Sequence, residues 1–375
     1  MRVVYQICCR VDVHKKFLVA TIITTTKGVQ PHYQKKRFST FNTDLNRFAD
    51  WLNENNCVDV CMESTGKYWV PVYNILEMRG IRTIIAYPKW VKAFKGNKDD
   101  TKDSKWIGDL FRLGLVPGSF IPRKKFRVLR EYTRYRYKLT SMKSSEKNRF
   151  QNAFTVCNVA LDAVVFDMFG VPASAIADYL ISTEQFDEDY CKSLLKRSLK
   201  KKSDTVIESI QGYCIEPEQK LRMQFVRNHL DYLKNEISQV DAVIDTMIKK
   251  CEGLIALLTT IPGVKRDSAI TIISEIGDDM SQFGFSKRLC CWTGLTPGNN
   301  ESADKKKSVR ITRAGIYLKP ALVEVAHAAI KATESPYYHI KYEKIVKRRG
   351  KKRAVIAIAR IILTAVFQML STGEV

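Results

Sequence analysis

The first 121 residues alternate between strand-like and helix-like segments, and this order restricts the fold more than any other feature of the chain. Three short strand-like runs come first, and then a helix, a strand, a helix, a strand and a final helix. The strands are predicted over residues 3–13, 17–25, 32–40, 58–63 and 82–87, and the last helix over residues 98–114. Nearly continuous apolar runs are typical of strands that are covered on both faces. The order of elements is that of an RNase H-like α/β fold.

Carboxylates stand at the ends of these elements. Asp12 ends the first strand and Glu63 ends the fourth, and these two strands are neighbours in an RNase H-like sheet. Asp100 and Asp103 share one predicted helix face with Ile107, because residues three or four apart lie on the same side of a helix. Buried carboxylates need compensating charge, and hard oxygen ligands suit Mg²⁺ or Mn²⁺. Two such ions can assist both the attacking and the leaving oxygen at a phosphodiester.

A plainer interpretation of the same residues stays open at this point. Asp12 or Glu63 alone would be an ordinary acid at the end of a strand, paired with one of the many Lys or Arg side chains. The two inward acids at positions 100 and 103, in an element that follows the expected strand order, favour the metal site.

The net charge of +23 predicts a polyanionic partner, with nucleic acid first and an anionic membrane second. The apolar stretch 354–370 is shorter than the roughly 20 residues of a membrane span and contains Arg360, so a buried helix is predicted and no membrane partner is expected. The ten cysteines form no Cys-x-x-Cys motif, and the N-terminus has no signal-peptide pattern. Reduced, buried thiols and a cytoplasmic location are therefore expected.

Residues 123–150 mix basic and aromatic side chains in a helical segment. Arg130, Arg134 and Arg136 are its predicted nucleic-acid-binding residues, since cations bind phosphate and aromatic rings stack on bases. The alternative is a solvated helix with an aromatic core face. The following residues 183–204 are predicted to form a loop.

An apolar heptad pattern runs through residues 218–252. Its members are Met223, Val226, Leu230, Leu233, Ile237, Val240, Ile244 and Met247. This spacing predicts a coiled coil, formed either by an antiparallel helix pair within one chain or by two chains in a dimer. The heptad alone does not decide between the two.

The last part of the chain is predicted to be mostly helical. Residues 254–276, with the turn Pro262-Gly263-Val264, are typical of a helix-hairpin-helix element, which can present backbone N–H groups to phosphate. Residues 294–313 are predicted to form an exposed loop, and apolar helices are expected over residues 319–331 and 354–370.

Ser302 lies in that predicted loop among basic residues. The neighbouring cations are Lys305, Lys306, Lys307 and Arg310. Such cations can bind a phosphate and stabilise an alkoxide, so they are predicted to contact nucleic acid. The residues alone do not separate Ser302 from Ser308 or from an ordinary loop serine.

Several segments together resemble the DEDD transposases of the bacterial insertion sequence 110 family, to which the Piv DNA invertases also belong. These segments are Val11-Asp12-Val13-His14-Lys15, Met62-Glu63-Ser64-Thr65-Gly66, Asp100-Thr101-Lys102-Asp103-Ser104, residues 129–136, Thr260-Ile261-Pro262-Gly263-Val264, residues 292–302 and residues 348–352. The resemblance covers almost the whole chain.

The resemblance implies a multidomain α/β plus α protein. Its domains would be a RuvC-like nuclease domain (1–121), a helical coiled-coil region (122–252) and a C-terminal transposase domain (253–375). Asp12, Glu63, Asp100 and Asp103 would be the catalytic metal ligands, and Ser302 would be a catalytic nucleophile. The implied partners are donor and target DNA, a guide (bridge) RNA and further copies of the chain in a dimer or tetramer, in the bacterial cytoplasm.

The chain departs from the family pattern in three places. Asp99 stands where a Thr is usual, Lys265 replaces the second glycine of the hairpin, and Asp304 replaces a glycine two residues after the serine. A glycine at the last position would allow close approach of backbone or a positive φ. The expected function is that of a DNA transposase and recombinase. The alternatives are a RuvC-like structure-specific endonuclease without a covalent serine intermediate, and a non-catalytic nucleic-acid-binding scaffold.

Overall fold

A computed structural model of the chain describes residues 2–26, 30–63, 66–86, 100–298, 300–302, 305–308, 310–333 and 335–374. Within these ranges the side chains of residues 100–105, 198, 300–302 and 305–308 are not described. The chain divides into two compact units, Met1–Ile121 (unit 1) and Pro122–Val375 (unit 2). The finer division into three domains, with a boundary at residue 252, stays a prediction.

Unit 1 contains a five-stranded mixed sheet. Its strands are β1 (Ile7–Val13), β2 (Phe17–Thr24), β3 (His32–Ser39), β4 (Asp59–Glu63) and β5 (Arg82–Ala86), in the spatial order β3-β2-β1-β4-β5. The first three strands are antiparallel, and β4 and β5 run parallel to β1. The prediction that the first and fourth strands are neighbours is confirmed.

The first strand begins later than the sequence predicts. The backbone N–H groups of Val4 and Tyr5 donate hydrogen bonds to the carbonyl of Arg112 instead of joining the sheet. Because Arg112 ends a helix, these bonds satisfy one of the carbonyl groups that a helix leaves without an internal partner. The apolar residues before Ile7 therefore cap a helix and do not extend β1.

Helices cover both faces of the sheet. Helices α1 (Asn42–Glu54) and α2 (Trp69–Met78) pack on the face that carries Cys9, Val11 and Val13. Helix α3 (Asp100–Arg112) packs on the opposite face, where Ile107 and Phe111 join the core that contains Cys8, Ile23, Cys61 and Ala86. The strand residues therefore alternate between the two layers.

In the described residues of unit 2, the regular structure is helical apart from one hairpin. Its helices are α4 (Lys124–Thr155), α5 (Leu161–Val164), α6 (Val171–Ser182), α7 (Glu188–Ser193), α8 (Ser203–Glu208), α9 (Pro217–Ile248), α10 (Glu252–Thr259), α11 (Arg266–Ile276), α12 (Ser286–Trp292), α13 (Leu318–Lys331), α14 (Tyr337–Arg349) and α15 (Lys351–Thr372). Strands β6 (Asn300–Ser302) and β7 (Lys305–Ser308) form the antiparallel hairpin, and 3₁₀ turns cover Arg197–Lys202, Lys249–Cys251 and Met280–Phe283.

The heptad residues face another helix of the same chain. Arg136 of α4 bonds to Asp241 of α9, whereas His229 of α9 lies 3.1 Å from Glu146 of α4, so the two helices run antiparallel. Leu233 is 1% exposed and Ile237 is 8% exposed. The intrachain pair is thus the observed form, and a dimer through this seam is not needed to bury it.

Two segments that were predicted to be loops contain regular structure. Residues 183–204 include α7 and a 3₁₀ turn, and residues 294–313 include the β6–β7 hairpin. The hairpin consists of short, polar strands with a register irregularity beside Asn300, so it has no alternating apolar pattern to reveal it.

The predicted helix-hairpin-helix turn packs against a helix. Gly263 has φ of +85°, and a Cβ built there would lie 2.6 Å from the backbone nitrogen of Ala329. The glycine therefore permits close contact with α13, a structural role that the phosphate-binding interpretation did not include.

Helix α15 is long and apolar enough to cross a membrane, but half of its most apolar part is buried within the protein. Ile358, Ile362 and Val366 are each fully buried. The burial agrees with the predicted core helix.

Candidate active site

Asp12 and Glu63 lie at the same level in neighbouring strands. Val11 of β1 pairs with Met62 of β4 in the parallel register, so the next residue of each strand is one of the two acids. Adjacent strands lie about 4.8 Å apart, and residues at the same level of a sheet share a face. The pair therefore forms a carboxylate site at the carboxyl ends of β1 and β4.

This site opens on the face of the sheet that carries α3. Cys8 lies four residues before Asp12, and Cys61 lies two residues before Glu63; both cysteines belong to the core beneath α3. Side chains alternate along a strand, and therefore Asp12 and Glu63 lie on this same face. Helix α3, which contains Asp100 and Asp103, is the helix that covers it.

The surroundings of Asp12 are partly buried and contain histidine. The Asp12 side chain is 25% exposed, and its Oδ2 atom lies 3.4 Å from Nε2 of His14. The His14 ring lies 4.6 Å from the Phe17 ring. The carboxylate is therefore partly desolvated but open to a small ion or to a phosphate.

A buried arginine lies below the acids. Arg10 is 5% exposed and pairs in register with Cys61. Burial raises the pKa of the Cys61 thiol to about 12, while the charge of Arg10 lowers it and that of Glu63 raises it. The charges of Arg10 and Glu63 therefore both act on the same thiol, at the end of the sheet that carries the carboxylate site.

The structure describes the two other predicted metal ligands only in part. Asp100 and Asp103 lie in the first turns of α3, and their side chains are outside the described part of the chain. Among the side chains that are described, no three from His, Cys, Asp or Glu are grouped closely enough to hold a metal ion. Asp12 and Glu63 are two of the predicted four. The full set stays a prediction.

Ser302 is the last residue of β6, where it pairs with Lys305 across the hairpin. The sequence placed it in a loop, and its observed position in a strand is a correction. Lys305, Lys306 and Lys307 belong to β7, and Arg310 is exposed just beyond it. Asp304 and the side chains of Ser302 and the three lysines lie outside the described residues.

The three arginines predicted to bind nucleic acid are engaged within unit 2. Arg134 donates two hydrogen bonds, of 2.6 and 2.8 Å, to the Glu275 carboxylate, and Arg130 donates to the backbone carbonyls of Ser274 and Glu275. Arg136 bonds to Asp241 and Asp267. These contacts join α4 to α9 and α11, which is a structural role. Nucleic-acid binding by these arginines stays a prediction.

Sequence reasoning missed Glu275, the acid at the centre of this cluster. It is 3% exposed, and a buried carboxylate needs pairing of the kind that Arg134 supplies. Its signal in the sequence is a single acid near the end of the apolar stretch of α11. Burial lowers the pKa of Arg130 to about 10, because its guanidinium lies between α4 and α11. The negative charge of Glu275 acts in the opposite direction and raises this pKa.

Comparison with known proteins assigns both ends of the chain to one group of transposases. Residues 9–158 match the family model for the DEDD transposase domain of IS110, and residues 255–342 match the model for the transposase family IS116/IS110/IS902. A transposase for insertion sequence element IS1111A from Coxiella burnetii (strain RSA 493 / Nine Mile phase I) is 26% identical over 118 residues. That match covers 31% of this chain and 32% of the relative.

The α/β unit, with carboxylates at the ends of neighbouring strands, and the two family matches define a chain of the DEDD transposase class. The chain belongs to the IS110 family of transposases.

Proposed function

We propose that this protein is a DNA transposase and recombinase that cleaves and rejoins strands at the carboxylate site of a RuvC-like unit 1. The observation that supports this most is the position of Asp12 and Glu63 at the same level of adjacent strands, on the face of the sheet against which α3 packs. Family membership supports the same reaction class.

The direction of α3 supports the inclusion of positions 100 and 103. The carbonyl of its last residue, Arg112, accepts a hydrogen bond from Val4 before β1, and a Cβ built at Gly108 would lie 3.8 Å from the Cβ of Arg10. The helix thus runs antiparallel to β1. Position 103 is about 7.5 Å before Gly108 along the helix, and Asp12 is about 6.6 Å beyond Arg10 along the strand. The start of α3 therefore reaches the level of the carboxylate site.

A divalent metal ion suits the donor set. Two like-charged carboxylates in neighbouring strands repel each other, and hard oxygen ligands favour Mg²⁺ or Mn²⁺. Asp12, Glu63, Asp100 and Asp103 would hold the ions. When bound, the ions would supply Lewis-acid stabilisation of phosphodiester oxygens. The chain's own residues would orient the strand and hold the ligands in place.

The remaining parts of the proposal rest on the family resemblance. Ser302 would be a nucleophile, a bridge RNA would guide the choice of donor and target DNA, and further copies of the chain would complete an oligomer. The backbone register, which pairs Ser302 with Lys305, and the basic residues that follow it in the sequence support a phosphate-binding role for this hairpin. The protein would act in the cytoplasm, where its DNA substrate lies.

Conservative changes at the carboxylates test the proposal. Asp12→Asn and Glu63→Gln should each abolish cleavage of DNA that carries the ends of the element, in the presence of RNA transcribed from the flanking noncoding DNA. The exposed Glu54 of α1, on the other side of the sheet, provides the control Glu54→Gln, which should cleave normally. In metal-free buffer the Asp12 and Glu63 variants should melt no lower than the wild type, because each removes repulsion.

The outcomes separate the alternatives. Cleavage that survives in both carboxylate variants would overturn the metal site. Cleavage that depends on the carboxylates without a covalent protein–DNA product would instead support the structure-specific endonuclease. Binding without cleavage under any metal ion would support the scaffold.

A further inference from the structure

We propose that Arg37, on the edge strand β3, binds a phosphate of the DNA strand a few nucleotides away from the phosphate held at the carboxylate site. Lys35 would extend this cationic row. The inference rests on the proposed function, because it takes Asp12 and Glu63 as the place where the strand is cut. It assigns unit 1 its own DNA-positioning residue, outside the acids.

The strand register places Arg37 in line with Asp12. Asp12 pairs with Val19 across β1 and β2, and Val19 pairs with Arg37 across β2 and β3. Residues directly opposite one another in a sheet point to the same face. Arg37 therefore belongs to the face that carries the carboxylate site, two strands away from Asp12.

A second basic residue repeats this arrangement one step along the sheet. Arg10 pairs with Thr21, and Thr21 pairs with Lys35. Lys35 and Arg37 are both exposed, whereas Val19 is only half-buried between Arg37 and the acid. This end of the face is therefore more open than the part covered by Phe111 and Ile107, which are almost fully buried.

The distance is suited to a DNA strand. Two strand spacings place the backbone of Arg37 about 10 Å from that of Asp12. The rise per nucleotide along one strand is about 3.4 Å, so a phosphate at Arg37 lies within about three nucleotides of one at the acids. A DNA strand that crosses the sheet at this level would pass from the carboxylates Asp12 and Glu63 to Arg37.

The Arg37 side chain is already positioned. Its Cζ atom lies 3.7 Å from the centre of the Phe17 ring, and this ring also contacts His14 beside Asp12. Stacking uses the flat face of the guanidinium and leaves the N–H groups at its edge to act as donors. Holding the group in advance reduces the entropy lost when it binds a phosphate.

The charge of Arg37 is not neutralised by a described carboxylate, unlike the charges of the three predicted DNA-binding arginines in unit 2. Arg130, Arg134 and Arg136 are all neutralised by carboxylates of the chain. Among the described residues, Arg37 has a contact with an aromatic ring and no ion pair with a carboxylate. Its charge is therefore available to an external anion.

Lys36 provides a matched control on the same strand. It is exposed and adjacent in sequence, but it pairs with Ala20 and contacts Phe38 and Trp51, at 5.2 and 5.8 Å from the ring centres. These contacts belong to the opposite face of the sheet. A general effect of edge-strand charge, such as protection against aggregation, would affect Lys36 and Arg37 alike.

The test measures DNA binding by the full chain in EDTA, with a labelled duplex that carries the end of the element. Arg37→Gln should weaken binding about tenfold and reduce the slope of log affinity against log salt by about 0.9, the value for one phosphate contact. Lys36→Gln should change the affinity less than about twofold. Arg37→Lys should recover part of the loss, because it keeps the charge without the planar fork.

A neutral methylphosphonate then locates the contact. The methylphosphonate is placed in turn at each linkage within about three nucleotides of the cleaved bond. At one position it should weaken binding by the wild type. At that same position it should not weaken binding by Arg37→Gln further. Equal effects of Arg37→Gln and Lys36→Gln would overturn the proposal, and so would full methylphosphonate sensitivity in Arg37→Gln.

The inference and the proposed function fail in different ways. Cleavage that persists in Asp12→Asn and Glu63→Gln would refute the proposed function, although the binding result for Arg37 could still be observed. Carboxylate-dependent cleavage combined with equal binding by the Arg37 and Lys36 variants would refute only the role of Arg37.

Discussion

Burial controls the chemistry of the cysteines more than their number does. Burial raises the pKa of the Cys8, Cys57 and Cys61 thiols to about 12, and it raises the pKa of Cys9 as well. All ten cysteines are free, and eight are buried. The predicted burial is confirmed for these eight, whereas Cys214 and Cys291 are exposed. Their reduced state stays a prediction.

Thiol labelling should therefore detect two residues in the native protein. A thiolate is the reactive form, and a buried thiol with a raised pKa supplies little of it. The Sγ–H group of Cys214 donates to Glu216, which raises its pKa, so its labelling rate should increase with pH. Ellman's reagent in native buffer measures the count. A double variant, Cys214→Ser with Cys291→Ser, should lose the rapid phase, and a third rapid thiol in that variant would contradict the expectation.

The acids and Arg37 differ in how far the sequence reveals them. Asp12 and Glu63 each end an apolar strand, so the strand order alone predicts that they meet. Arg37 becomes informative only through the register Asp12–Val19–Arg37, which depends on how two turns set the pairing of three strands. The sequence shows a run of basic residues on this strand, but it does not show which of them lies on the face of the carboxylate site.

At the scale of elements, the α4–α9 pair is the main connection within unit 2. The heptad of α9 predicted the apolar seam but could not identify its partner, since periodicity describes only one surface of the pair. Helix α4 supplies Leu129 and Leu139 to the interior, spaced among many polar and basic residues. The antiparallel direction is visible only in contacts such as Arg136–Asp241.

Charges placed in this seam should unfold unit 2. In the double variant Leu233→Asp with Ile237→Asp, two buried apolar side chains become acids, at a cost of at least about 4 kcal/mol in the free energy of unfolding. Circular dichroism melts should show a large fall in Tm. Val243→Asp, at a position of the same helix that is 39% exposed, should melt like the wild type.

Light scattering on the same samples distinguishes the two forms of coiled coil. A double variant that keeps its fold and changes only its mass would show that the seam joins subunits. Loss of the fold at unchanged or increased mass would agree with the intrachain pair.

At the scale of the whole molecule, the proposed catalytic groups belong to different units. Asp12 and Glu63 lie in unit 1, and Ser302 lies in unit 2. A serine hydroxyl is a weak nucleophile until a base, a metal ion or a cationic environment stabilises its alkoxide. Lysines surround Ser302 in the sequence, but its neighbours include no group of acids like that of unit 1. A reaction that uses both parts can draw them from one chain or from two.

Mixing defective proteins tests this division. Ser302→Ala should block cleavage and remove any covalent protein–DNA adduct while leaving DNA binding intact, since the lysines remain. A mixture of Ser302→Ala with Asp12→Asn should recover measurable cleavage, because a mixed oligomer can combine an intact unit 1 with an intact unit 2. A mixture of Asp12→Asn with Glu63→Gln should recover none, since both carry the defect in the same unit. If subunit exchange is demonstrated and the first mixture still fails, the complete site lies within one chain. An adduct that persists in Ser302→Ala would exclude this serine and leave Ser308 or water as the nucleophile.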